Sequence, residues 1–274
     1  MNRRLEQRDG WLWVAVLALL LLAIWGPTVL QPAHHHDFAD VRSWGHLPCA
    51  MDVLSNLPFA LWGVVGLACL AALQATRRAK GAQEVAQQGL AAVFFGGLVL
   101  TAGASSWYHL RPDDAGLLID RLGMVVAFAG LLGLAAADRV SARAGWLLGA
   151  AVMVLGPVSV AVWATLGNVG PWLVLQLGGM ALLLGLAWVP PLTGAWAVRW
   201  GWVLAVYALA KMFELADHPI YAWTSQLVSG HSLKHIVASL AAWPVISALH
   251  NQGRIGRLQR GLPAQTIDKN RSHA

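Results

Sequence analysis

His231 and His235 stand four residues apart, so on a helix they project from one face, one turn above the other. Ser105 and His109 repeat that interval in the segment Ser105-Ser106-Trp107-Tyr108-His109, and Asp120 follows after a short break. Three neutral imidazoles from two helices can hold a zinc ion while leaving its fourth position open to water, which is the pattern of a catalytic rather than a structural site. A carboxylate at the same level, Asp120, is then close enough to act on that water. Taken singly, each piece has a plainer use. A histidine pair can cap or brace a helix, a helix serine can bond the carbonyl one turn back, and Asp120 followed by Arg121 can be a structural ion pair. The chemistry requires that His109, His231, His235, Ser105 and Asp120 be brought to one place.

The elements that would position them can be read from composition. Of the 274 residues, 57% are hydrophobic and only 12% charged, against about 25% charged in soluble domains, which marks an integral membrane protein. The apolar residues come in long unbroken runs rather than the short alternating segments of a transmembrane barrel, so the fold class is an all-α, polytopic transmembrane helix bundle. Runs at 11–30, 53–74, 89–109, 117–137, 144–165, 171–190, 196–215 and 231–250 predict eight helices, with breaks marked by residues such as Pro32, Pro112, Gly170-Pro171 and Pro190-Pro191. The first run is long enough to be a retained helix rather than a cleaved signal. Lys and Arg are enriched at cytoplasmic helix ends. With the N-terminus inside, the segments 1–10, 75–88, 138–143, 191–199 and 251–274 collect 14 of the 19 Lys and Arg. Both termini are therefore expected in the cytoplasm. The net charge of +6 follows from topology, and nothing points to nucleic acid. Cys49 and Cys69 are expected to be free thiols.

Ionisable groups inside spans are costly and mark functional sites by default. In this topology His109 ends the third helix on the outer side, Asp120 lies in the first turns of the fourth, and four further crossings return the chain outside, where His231 and His235 begin the eighth. All lie at one depth. Lys211 and Glu214 are expected to pair, with Asp217 and His218 at the outer mouth. Lys234 either approaches the site, where it could attract an anionic group, or snorkels away from it. His34-His35-His36 reads as a solvated loop.

These residues resemble the signature of the alkaline ceramidase family, within the superfamily of seven-helix membrane hydrolases that includes the adiponectin and progestin receptors. The resemblance is carried by Ser105, His109, Asp120, His231 and His235. It extends to the segment from Asp37 through Arg42 and Asp52-Val53-Leu54-Ser55-Asn56-Leu57-Pro58-Phe59, and to Ser229-Gly230-His231-Ser232-Leu233-Lys234-His235, which look like segments of bacterial members. It covers residues 37–250. It implies a seven-helix core, preceded here by one extra helix in residues 1–36 and followed by a basic cytoplasmic, disordered tail, 251–274. It further implies a bacterial inner-membrane zinc amidase with its site toward the outer side. His109, His231 and His235 would bind zinc, Asp120 would orient and deprotonate water, and Ser105 would stabilise the oxyanion. The substrate implied is a membrane lipid, ceramide or a similar N-acyl lipid. The rival reading is a receptor-like lipid-binding protein with structural zinc. Asp37, Asp40 and Asp52 match the calcium-binding segment of animal members in part, with Cys49 where an oxygen ligand is expected, so calcium is left open.

Overall fold

The computed structural model describes residues 3–76, 79 and 81–261. The fold is an all-α bundle. Its elements are α1 (Arg3–Trp25), α2 (Ala50–Leu54), α3 (Leu57–Thr76), α4 (Gly81–Leu110), α5 (Asp114–Arg139), α6 (Ala142–Leu166), α7 (Gly170–Leu173), a π-helical turn (Val174–Gly178), α8 (Gly179–Trp188), α9 (Trp200–Leu215), α10 (Asp217–Trp223), α11 (Gly230–Ser239) and α12 (Ala242–Gly261). Helix ends fall where capping chemistry puts them. The Asp113 side chain accepts from Gly116 N to open α5, Ser141 does the same for α6 through Ala144 N, and Gly167 closes α6 in the left-handed region. Both cysteines are free.

Seven helical stretches among the described residues are long and apolar enough to cross a membrane. The expected run at 196–215 differs. Only Trp200–Leu215 is helical, 16 residues, or about 24 Å at 1.5 Å per residue, short of the roughly 30 Å hydrocarbon core. Its beginning is diverted because Asp138 and Arg139, at the end of α5, capture the preceding chain. Asp138 Oδ1 accepts from Ala197 N at 2.9 Å, and Arg139 donates to Val189 O and Val198 O at 2.9 and 2.7 Å. Trp196 and Val198 are thereby tucked into the core. At the chain's far end α12 runs to Gly261, so 251–261 continues a helix, and the rest of the expected tail lies outside the described residues. Arg77, Arg78 and Lys80, used in the orientation count, also lie outside them.

The centre of the bundle is the α4–α5 hairpin. A Cβ on Gly97 would sit 2.3 Å from Ala127 N, and one on Gly130 2.2 Å from Phe94 N, so the two backbones touch only because both positions are glycine. Around this seam Phe94, Phe95, Leu132 and Leu134 are buried. The α3, α6 and α8 helices pack on it, and α9, α11 and α12 join the bundle through α3 and α8. Helix α1 leans on the α7–α8 segment from outside, with Leu12 its one buried residue among those described.

Candidate metal centre

His109 lies in the last turn of α4, and His231 and His235 lie on consecutive turns of α11. Ser229 caps α11 by accepting from Ser232 N. Gly230 lets that helix begin against its neighbours, since a Cβ there would stand 2.2 Å from Phe213 O and 2.8 Å from Asp217 Cα. The close approach delivers His231 N to Asp217 Oδ1 at 2.8 Å, while Asp217 Oδ2 accepts from Ala39 N at 3.0 Å. One carboxylate thus ties the start of α11 to the segment that leads into α2.

The three histidines are buried, and their ligand atoms all lie within 4.8 Å of one another. His109 Nε2 and His231 Nε2 are 3.3 Å apart. Zn–N bonds of about 2.0–2.1 Å at tetrahedral angles separate two ligand nitrogens by about 3.3 Å, the spacing of this pair, although the Lys234 Nζ, 3.0 Å from His231 Nε2, must give way for that nitrogen to bind a metal. The supporting contacts agree. Ser55 Oγ donates to Asp52 O at 2.9 Å, which leaves its lone pair to receive a proton from His235 Nδ1 at 2.8 Å and frees His235 Nε2 for a metal. Phe38 covers the cluster, its ring centroid 4.8 Å from that of His109 and 4.4 Å from that of His231. The site can hold a metal ion, and an all-imidazole set suits zinc.

Ser105 and Asp120 share the three histidines' cavity, which has a volume of about 750 Å³. Ser105 is buried and Asp120 partly so, with Asp120 Oδ1 itself buried and without a hydrogen-bond partner. The rest of the wall is mixed. Leu117, Met124, Val169, Leu173 and Ala210 make it apolar, and Lys234 and Glu214 stand at the histidine side.

The structure also decides the open alternatives. Lys234 turns inward, with Nζ 3.0 Å from His231 Nε2 and 3.1 Å from Glu214 Oε1. Lys211 and Glu214 pair as expected, and Asp217 and His218 line the cavity. Asp120 and Arg121 do not pair: the Arg121 guanidinium donates to Gln31 Oε1 at 2.8 Å and lies over the Trp163 ring at 4.1 Å. The histidine loop is more than solvated, since His36 reaches Tyr108 Oη at 2.8 Å and Asp114 Oδ1 at 3.0 Å, and His35 lines the cavity. Asp37, Asp40 and Asp52 do not gather as a ligand group among the described residues. Burial works to raise the Asp40 carboxyl, but hydrogen bonds from Arg42, at 2.6 and 2.8 Å, hold it below its usual range. Asp52 Oδ1 accepts from Ser232 Oγ at 2.7 Å.

Sequence reasoning gave no role to Ser55, Phe38, Tyr108 or Gln31. Ser55 precedes His235 by 180 positions, and no local spacing connects such distant residues. A scan against protein-family models and a search of curated proteins both return no match, so function rests on the residues and their geometry.

Proposed function

We propose that the protein is a zinc-dependent intramembrane amidase that hydrolyses the amide bond of ceramide or a similar N-acyl lipid, giving a fatty acid and an amine-bearing lipid. One observation carries this reading: three buried imidazoles, their ligand atoms within 4.8 Å of one another, share a partly apolar cavity with a hydroxyl and a carboxylate whose Oδ1 has no partner, inside a membrane-type bundle. His109, His231 and His235 hold the metal. Zinc there supplies Lewis acidity, which activates water at neutral pH and polarises a carbonyl. The chain does the rest. Asp120 Oδ1 orients the attacking water, takes its proton as the C–O bond forms, and returns it to the amide nitrogen so that the C–N bond breaks to a neutral amine. Ser105 Oγ donates to the carbonyl oxygen as negative charge develops on it. The apolar wall holds the acyl chain, and Phe38 keeps bulk water from the reacting atoms. The charge asymmetry of the loops supports a site toward the outer side with both termini in the cytoplasm, an orientation that counts the short α9 as a crossing, and the resemblance to bacterial members supports an inner membrane.

The test is zinc content and fatty-acid release from N-acyl lipids by the detergent-purified protein. About one zinc per chain and stoichiometric release of both products are expected. Asp120→Asn should keep the zinc and lose about 10²- to 10⁴-fold in turnover. Bound lipid without product would put a receptor-like lipid-binding protein in place of the enzyme, and failure to take up zinc would remove the reading altogether.

A further inference from the structure

Among the described residues, Arg121 is the buried cation that makes no contact ion pair. It lies in the second turn of α5 and is 4% exposed, in a setting where a buried charge is expensive unless paired. The other inward cations of the described residues have carboxylates: Arg139 has Asp138, and Lys211 and Lys234 share Glu214. Arg121 makes no ion pair among the described residues. Its hydrogen-bond acceptor is a neutral amide oxygen, Gln31 Oε1, and its Nη1 is buried with no partner at all. The guanidinium is nevertheless held firmly, with Trp163 at 4.1 Å and Trp172 at 5.5 Å from its carbon to the ring centroids. It lines the same cavity as Asp120, its neighbour in the chain, and as the three histidines. The positive field is felt at the mouth. His35 is exposed yet lines the cavity, and desolvation there followed by the charge of Arg121 pushes its imidazole down to about 4.

We infer that the cavity is shaped for an amphiphile bearing a carboxylate close to its amide, as in an N-acylated amino acid, with Arg121 as the counter-ion that recognises it. A planar guanidinium presents its N–H groups in a fixed fork that matches a carboxylate. A neutral head group would leave it as unpaired as it now stands. Because Arg121 lines the same cavity as Asp120 and the three histidines, an anion on Arg121 would share that cavity with the amide, as the α-carboxylate of an N-acylated amino acid does. The inference takes the amide from the amidase reading, but the anion comes from Arg121 alone.

Two probes that share an acyl chain separate the alternatives: N-dodecanoylglycine, which carries the carboxylate, and N-dodecanoylethanolamine, which carries a neutral hydroxyl. Calorimetric binding to the full-length, zinc-loaded protein with Asp120→Asn, to prevent turnover, should show the glycine conjugate binding at least about tenfold more tightly, the scale of a charge-assisted hydrogen-bond pair. Adding Arg121→Gln should abolish that preference while zinc content and ethanolamide binding stay unchanged. Arg121→Lys, which keeps the charge but not the fork, should retain part of it. Equal binding of the two probes, binding of neither, or a preference that survives Arg121→Gln would overturn the inference. Should Arg121→Gln not fold, the probe comparison and the lysine variant decide the question without it. A carboxylate preference with no fatty acid released by the unsubstituted protein would remove the amidase reading and leave this inference standing. Hydrolysis of both probes at equal rates would do the reverse.

Discussion

Helix α5 carries the same dipeptide twice, Asp120-Arg121 near its start and Asp138-Arg139 at its end, and the two copies have opposite fates. At the far end the charges face one another, although Arg139 Nε itself makes no hydrogen bond. Arg139 Nε stands 3.1 Å from Asp138 Oδ2, Trp200 Nε1 donates to that carboxylate at 3.0 Å and Gln87 Nε2 at 3.2 Å, and the arginine closes on two backbone carbonyls. At the histidine end the two residues make no contact ion pair, Asp120 Oδ1 and Arg121 Nη1 are left without hydrogen-bond partners, and both residues line a cavity. The first copy is a device for reaching a ligand and the second for fixing a chain segment. Identical residues in an identical order do not distinguish the two, because what separates them is supplied by distant segments: Gln31, Trp163 and Trp172 in one case, and 189–200 in the other.

The largest effect should come from exchanging the two aspartates. Asp138→Ala breaks a buried ion pair and leaves Arg139 uncompensated, which should cost about 3–5 kcal/mol and release the 189–199 segment. Asp120→Ala removes a carboxylate whose Oδ1 already lacks a partner, and the metal-free protein should melt within a few degrees of the unsubstituted chain. Thermal unfolding in detergent, followed by circular dichroism, gives both numbers. Equal destabilisation by the two substitutions would mean that the ends of α5 do not differ as described.

A graded effect on metal affinity should follow within the histidine end. His235→Ala removes a ligand, and elemental analysis should find the zinc lost. Ser55→Ala leaves all three ligands but frees His235 Nδ1, so competition with a chelator should show affinity about 10- to 100-fold weaker. Helicity should be unchanged in both. Undiminished affinity in the serine variant would show that packing, not the hydroxyl, sets the ring of His235.

These contrasts also explain how far the sequence was legible. The helices were, because membrane insertion demands long apolar runs and their breaks carry Pro, Gly and charge. The 11–30 run proved to be helix Arg3–Trp25, and the run at 53–74 closely matches Leu57–Thr76. The histidine cluster was legible because the helical interval and the parity of crossings put His109, His231 and His235 at one level, where the structure brings them together. Three features were not. The shortness of α9 depends on Asp138 and Arg139 reaching across 59 positions. The role of the histidine loop depends on Tyr108 and Asp114, more than seventy positions away. The inward turn of Lys234 depends on Glu214 being placed to receive it. In each case the deciding partner is non-local, and periodicity carries no trace of it.

The smallest effect concerns the mouth of the cavity. His35 ionises at about 4 in the folded protein, through burial and then the charge of Arg121, but near 6.5 when unfolded. A depressed folded value means that the native state holds the neutral ring. This contribution to stability is therefore fully present above about 6.5 and is lost as pH falls through about 4. Because the ring touches solvent, screening keeps the effect modest. Melting temperatures of the zinc-loaded protein and of His35→Gln, measured between pH 7 and pH 4, should diverge, with the unsubstituted protein losing more stability on acidification. Curves that stay parallel would show that the folded protein does not hold His35 neutral, and that neither desolvation nor the charge of Arg121 acts on the mouth as described.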